Sequence, residues 1–256
     1  MQRYFLNETY NGQNSVILSD DDYHHIIHVM RMKEGATFWV VFSNSKTALV
    51  SLESINDTTI KAKIMDWEKD DKELPVHVTI ASGLPKGDKL EWIVQKGTEL
   101  GATEFTPFIA ERSIVKWEKK KAEKKVQRWK KMQRWKKIAK EAAEQSHRQL
   151  LPIVQSPVNL KEIVTYSQSF EWKILAFEEA AKEGEKSQFA HILSEMKQGD
   201  RILIVFGPEG GITDQEKDFL VQNDFKLCGL GPRILRTETA PLYTLAAISY
   251  HFELLR

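Results

Sequence analysis

One cysteine in 256 residues, Cys228, excludes an internal disulfide framework and any multi-cysteine zinc site. Long hydrophobic runs are missing as well. The longest uninterrupted apolar stretches are about five residues, far short of a membrane span. The N-terminal "MQRYFLNETYNG" has no basic stretch followed by an apolar one, so no secretory signal is visible. These shortages lead to the expectation of a cytoplasmic protein with no membrane partner.

Conventional catalytic signatures are also lacking. Gly83-Leu84-Pro85-Lys86-Gly87-Asp88-Lys89 has neither the spacing nor the hydroxyl of a P-loop, and no G-x-G-x-x-G follows a strand. His24, His25 and His28 sit together without a carboxylate or cysteine partner at ligand spacing, so no metal is expected. No serine occupies a nucleophile elbow.

What is present is a globular balance, with 41% hydrophobic and 29% charged residues, enough for a sizeable core. Net charge is only +1, but it is segregated. Arg112 to Arg148 holds fifteen Lys/Arg against four Asp/Glu, leaving a negative remainder. Such a basic segment suits a polyanionic partner, because Lys and Arg displace counterions condensed on phosphates. A solvated helix face would show the same charges.

Two kinds of pattern divide the chain. Up to about residue 66, "SVIL", "TFWVVF", "ALVSLESI" and "TIKAKIMDW" read as strands around one helical stretch, "DDDYHHIIHVMRM". That pattern fits a small β-barrel. "EKDDKELP" then reads as a linker. Beyond Pro75, strands such as "VHVTIASGL", "EFTPFIAE", "LPIVQSP", "WKILAFE", "RILIVFG" and "FKLCGLG" alternate with helices, including a long basic one from Lys120 to Ser146. This alternation predicts a mostly parallel sheet with ligands at the carboxyl ends of its strands. A mostly apolar helix, "APLYTLAAISYHFELL", comes last.

Lys124-Lys125-Val126-Gln127-Arg128-Trp129 is echoed at once by Lys130-Lys131-Met132-Gln133-Arg134-Trp135. Six residues at about 100° each turn the second copy roughly 240° from the first. The two tryptophans therefore cannot share one buried stripe, and one copy reads as an insertion.

The chemistry-bearing candidates are two glycine-bearing strand ends, Gly207-Pro208-Glu209-Gly210-Gly211 and Leu230-Gly231-Pro232-Arg233-Ile234-Leu235-Arg236-Thr237-Glu238-Thr239-Ala240. Glycine lets a ligand approach main-chain N–H and C=O groups closely, as recognition of an adenine edge requires. Two tight β-to-α turns would produce the same glycines.

"FGPEGG" followed by "LGPRILRTETA" closely resembles the bacterial small-subunit 16S rRNA (uracil-N3)-methyltransferases of the SPOUT superfamily. The likeness covers nearly the whole chain. "RYF" and "HHIIHVMRMKEG" are similar to N-terminal family elements and carry Arg3, His25 and Arg31. "KGDKLEWIVQKGTELGATEFTPFIAERS" matches a signature helix and strand through Lys89, Glu91, Gln95, Lys96, Glu99, Gly101 and Arg112. "EAAEQSHRQLLP" supplies Glu144, Gln145 and Arg148. Departures are Met30 in place of leucine, a volume-conserving swap, and the doubled hexamer. Ribose-methylating relatives carry an asparagine-containing segment where this chain has Leu235-Arg236-Thr237-Glu238, which argues against 2′-O methylation.

The resemblance implies an α/β fold: a PUA-like RNA-binding β-barrel at 1–72, then a SPOUT domain at 73–256 whose C-terminal segment forms a trefoil knot. It implies a homodimer, S-adenosylmethionine as cofactor and 16S rRNA of the small ribosomal subunit as substrate. Cofactor residues would be Phe206, Gly207, Glu209, Gly210, Gly211, Leu230, Gly231, Leu235, Thr237 and Ala240. The span Gly207–Gly211 is expected to leave the cofactor room. Arg236 would stabilise charge on a uracil oxygen. Glu238 would either accept the N3 proton or orient Arg236, with Glu209 as the alternative acceptor. A carboxylate placed only to suit the helix dipole is the plain reading of Glu238. Arg3, His25, Arg31, Arg112 and Arg148 would hold rRNA phosphates. Lys89, Glu91, Gln95 and Glu99 are explained equally well by pairing along an exposed helix face.

Overall fold

Strand propensity and turn spacing give five short strands in the first seventy residues: β1 (Arg3–Phe5), β2 (Ser15–Ser19), β3 (Thr37–Val41), β4 (Thr47–Ile55) and β5 (Thr59–Trp67). They form one sheet in the order β1-β3-β4-β5-β2, with β1 parallel to β3 and the other pairs antiparallel. Alternation decides which face is inside. Val16 and Leu18 of β2 are buried, whereas Ile17 between them is 67% exposed. Tyr4, Phe38, Val40, Val50, Leu52, Ile60 and Ala62 complete that core. The computed structural model describes residues 1–115, 117, 125–178 and 188–255, in two compact units. The first comprises Met1–Glu73 together with Ala143–Leu151.

Between β2 and β3 lies α1 (Asp20–His24), whose first turn carries Asp20, Asp21 and Asp22 where the helix dipole favours them. The helix expected through Met32 gives way earlier to a π-helical turn, His25–Val29. Arg31 then adopts a left-handed φ of 52°. The acidic stretch after β5, expected as a linker, is pinned in place. Arg3 donates to both carboxylate oxygens of Glu68 at 2.8 Å, and Glu73 pairs with Arg148.

The second unit, Leu74–Ala142 and Pro152–Arg256, is built by alternation. Its elements are β6 (His77–Ser82), α2 (Lys89–Glu99), β7 (Glu104–Phe105), β8 (Phe108–Ile109), α3 (Lys125–Gln145), β9 (Ile153–Val154) and β10 (Val158–Asn159). There follow α4 (Leu160–Ser167), β11 (Trp172–Ala176), α5 (Gln188–Glu195), β12 (Arg201–Phe206), α6 (Asp214–Val221), β13 (Lys226–Cys228) and α7 (Thr239–Ser249). Only the closing residues of α3 are grouped with the first unit. The sheet is wholly parallel, in the order β13-β11-β12-β6-β7-β9. Ile202 to Phe206 are all buried, as a central strand covered on both faces requires. Each such side chain contributes about 1.5–3 kcal/mol.

Two expectations shift in detail. "EFTPFIAE" is not one strand: Pro107 separates β7 from β8, and β8 pairs with β10 in a separate two-stranded sheet. Proline has no N–H to continue a ladder. The basic helix is present as α3, although its expected first residues, 120–124, lie outside the described residues. Its tryptophans divide as the rotation requires. Trp135 is fully buried and stacks on Trp117 at 5.8 Å, whereas Trp129 is 61% exposed.

Candidate functional site

β6 and β12 lie side by side with Ser82 opposite Phe206, so the two central strands end together. Their exits are packed tightly. A Cβ on Gly83 would lie 2.5 Å from Cδ and 2.7 Å from N of Pro208. The next turn is held from below by a capping box at α6. Thr213 and Glu216 exchange bonds there, and Glu216 also accepts from the Glu111 N–H at 2.8 Å. That bond fixes the 110–113 loop against the glycine turn, where Arg112 Nη1 donates to the Gly210 carbonyl at 3.3 Å. A Cβ on Gly210 would meet Arg112 Cβ and O at 2.9 Å. The room expected at Gly210 is therefore filled by the protein itself. Gly211 and Gly231 differ: both have left-handed φ, 72° and 91°, and no atom lies closer than 4.0 Å to where their Cβ would be.

The second strand end, after β13, runs through residues 230–238 into α7. Among the described residues, no hydrogen bond uses the main-chain groups of Leu230 to Leu235. An irregular stretch with unused donors and acceptors is costly to bury unless something pairs with it. Here it walls a cavity of about 530 Å³ at the carboxyl ends of β11, β12 and β13. Every expected cofactor residue except Gly210 lines this cavity: Phe206, Gly207, Glu209, Gly211, Leu230, Gly231, Leu235, Thr237 and Ala240. Arg236 and Arg112 line it as well. So do Ala176, Phe177 and Glu178, at the end of a strand that carries no glycine to flag it.

Charge in the cavity is organised by Lys89, from the first turn of α2. Its Nζ lies 3.0 Å from Glu209 and 3.3 Å from Oε2 of Glu238. The sequence had suggested pairing along an exposed helix for Lys89; the structure turns it toward both glycine motifs. Glu99 pairs with Lys96 along the helix, as the plain reading has it, whereas Glu91 pairs across to Arg134 of α3. Glu209 also accepts from the Lys86 N–H at 3.1 Å. Burial pushes its carboxyl upward, but Lys89 and the main-chain N–H groups outweigh this and hold it below the usual glutamate range. Lys89 is raised in turn, first by its bond to Glu209 and also by Glu238.

Glu238 sits at the N-cap of α7 without making a capping bond. Its Oε2 is buried, close enough to Lys89 for charge pairing but not aligned as a hydrogen bond. The carboxylate is thus tied to Lys89 and not to Arg236. The Arg236 carbonyl accepts from Thr239 and Ala240, at 2.8 and 3.0 Å, anchoring the start of α7. Its exposed guanidinium has no partner among the described residues.

The expected phosphate-binding residues separate into two kinds. Arg31 and Arg112 are exposed, and His25 is partly buried with Nδ1 against the Tyr4 hydroxyl at 2.9 Å. Arg3 and Arg148 are not available: their side chains are 0% and 3% exposed, held by Glu68 and Glu73. Arg3 Nη1 also donates to the Arg148 carbonyl at 2.9 Å. These are internal ion pairs, which correct the expectation that both face RNA.

Among the described residues there is no group of side chains suited to a metal, and no helix is long and apolar enough to cross a membrane. The model of the RNA methyltransferase domain matches residues 72–249, and that of the RNA methyltransferase PUA domain matches 18–65. Ribosomal RNA small subunit methyltransferase E of Bacillus subtilis (strain 168) is 48% identical, covering 100% of this chain and 99% of its own. The protein of that name from Synechocystis is 33% identical over 92% of this chain and 73% of its own. The crystal structure of the Neisseria gonorrhoeae methyltransferase E, bound to S-adenosyl methionine, is 28% identical with a TM-score of 0.81, over 97% of both chains. A parallel sheet whose central strands end at a cavity of unused main-chain groups, preceded by a PUA-type unit, accords with these likenesses. The chain belongs to the ribosomal RNA small subunit methyltransferase E family of RNA methyltransferases.

Proposed function

We propose that the protein methylates N3 of a uridine in 16S rRNA of the small ribosomal subunit, with S-adenosylmethionine as methyl donor. The observation that carries this is the cavity, where free main-chain groups of 230–235 meet a Lys89–Glu209–Glu238 cluster and the unpaired Arg236. About 530 Å³ lies within the usual range of small-molecule sites. Leu230, Gly231 and Leu235 would bind an adenine edge through main chain. Phe206, Gly207, Gly211, Thr237 and Ala240 would enclose the cofactor, and Glu209 would offset its positive charge. When bound, the cofactor supplies an electrophilic methyl group on a sulfonium.

The remaining work falls to this chain. Uracil N3 carries an imide proton, and its electron pair is usable only as that proton leaves. Glu238 would accept it, with the Lys89 ammonium beside it keeping the carboxylate ionised until the proton arrives. Negative charge then spreads onto the uracil carbonyl oxygens, where the free guanidinium of Arg236 can meet it. Glu209, with two donors already on one oxygen, is the poorer base.

Substrate RNA would be held by the first unit through His25 and Arg31, with Arg112 and α3 contributing from the second. Such contacts position a substrate without reading its sequence. Further parts of the proposal are the knotted C-terminal segment, a cytoplasmic location and a homodimer. Trp92, Tyr243, Tyr250, Leu254 and Leu255, all at least 43% exposed, support a second copy as partner. The test has two arms: calorimetry with S-adenosylmethionine, and nucleoside digestion of small subunits after reaction. One site per chain and 3-methyluridine are expected. Lack of cofactor binding, or a 2′-O-methyl product, would overturn the proposal.

A further inference from the structure

The first hexamer copy gives α3 a surface that the core does not use. Trp135, Met132 and Ala139 point inward, and the positions between them point out. Val126 and Trp129, one turn apart, are each 61% exposed. Lys130, Gln133, Lys136 and Lys137 continue that exposed side. Lys125 to Lys140 contains eight Lys/Arg and no acidic residue. Among the described residues, Lys125, Lys130 and Lys136 make no ion pair. A large aromatic ring left in water among free lysines is neither core nor an ordinary solvated face. Clustered apolar surface normally marks a binding site, and the surrounding charge selects a polyanion.

We propose that this face of α3 binds an unpaired stretch of RNA, with the Trp129 indole as platform for one base. Lys125, Lys130 and Lys136 are spaced to track the phosphates on either side. Aromatic stacking combined with basic side chains is how proteins hold single strands without reading sequence, because every base has a π-face. A duplex keeps its bases stacked on each other and offers this indole only phosphates. The inference deepens the proposed activity and rests on the reading of the chain as an RNA-modifying enzyme. It adds a base-contacting residue remote in sequence from both glycine motifs.

The full-length protein is titrated with a short single-stranded oligouridylate and with a blunt RNA duplex of matched charge. Trp129→Ala should weaken single-strand binding about tenfold or more, leave duplex binding unchanged, and leave S-adenosylmethionine affinity unchanged. Trp129→Phe, which keeps a ring, should retain most of the affinity. Because the side chain is exposed, neither variant should alter thermal unfolding. Unchanged single-strand affinity in Trp129→Ala would overturn the proposal, as would an equal loss on the duplex. A change in subunit mass with intact RNA binding would also overturn it and make the face a protein contact. Intact, Trp129-dependent RNA binding without any 3-methyluridine product would leave this surface standing while removing the proposed reaction.

Discussion

Adding a single carbon at Gly83 tests whether the paired strand ends shape the site. In Gly83→Ala the new Cβ would lie 2.5 Å from a ring carbon and 2.7 Å from the main-chain nitrogen of Pro208. Ordinary contact begins at 3.4 Å, so β6 and β12 must part by about 1 Å, a displacement that can cost about 100-fold in rate. Pro208 cannot turn aside, because its ring and its own backbone are the obstacle. The residue after it is Glu209, whose bond to Lys89 also fixes the neighbour of Glu238. Overpacking itself should cost about 1–3 kcal/mol. Gly97→Ala is the matched control: its Cβ would lie 2.7 Å from the Phe105 ring, inside the core and away from the cavity. Both variants should melt lower. Only Gly83→Ala should lose cofactor affinity and single-turnover rate at a temperature where both are folded. Normal affinity and rate in Gly83→Ala, or losses in the two variants that simply follow their stabilities, would refute the reasoning.

Arg236→Ala should lower single-turnover methylation by about 10²–10³ with cofactor affinity nearly unchanged; Arg236→Lys keeps charge but not the planar fork and should recover only part. A raised KM with normal kcat would mark ground-state binding instead. Lys89→Met removes the cation beside two carboxylates, so single-turnover methylation should fall, whereas Lys89→Arg should restore most of it. Glu209 has a depressed pKa in the folded protein, so its stabilisation is complete above the unfolded value, about 4.3, and is lost as pH falls through the lower folded value. Chemical denaturation from pH 7 to 3 should show that loss in the native protein and less of it in Lys89→Met. Arg3→Met leaves the buried Glu68 carboxylate with Lys72 and the Gln149 amide but without its guanidinium, which should cost about 3 kcal/mol in unfolding free energy. RNA affinity of the folded fraction should be unaffected.

Period and punctuation made the architecture legible. Alternating strands and helices gave the parallel sheet, and two Gly-Pro strand ends gave the cavity, because both signals are local. Rotation along α3 was legible too, and it separated Trp129 from Trp135. Roles that depend on what folds back from elsewhere were not. Nothing near Lys89 in sequence shows that its partners are Glu209 and Glu238. Arg3 and Arg148 read as surface cations because the carboxylates that bury them, Glu68 and Glu73, sit in a segment with the composition of a linker. Gly210 read as ligand space because sequence cannot distinguish a glycine that admits a ligand from one that admits a neighbouring loop. Phe177 and Glu178 gave no signal at all: they reach the cavity only because β11 lies between β12 and β13 in the sheet.

The pairing of β6 with β12 joins residues 77–82 to 201–206, and the cavity wall is completed only at residue 240. Contacts that close so long a loop form slowly and form late. The first unit is delayed in the same way, since Arg3 donates to the carbonyl of Arg148. A chain emerging from the ribosome would therefore pass through most of its synthesis with strands made and no site to fill. Cofactor can capture only the finished product, so ligand present during translation should rescue weakened variants after release and give no protection to stalled, shorter chains.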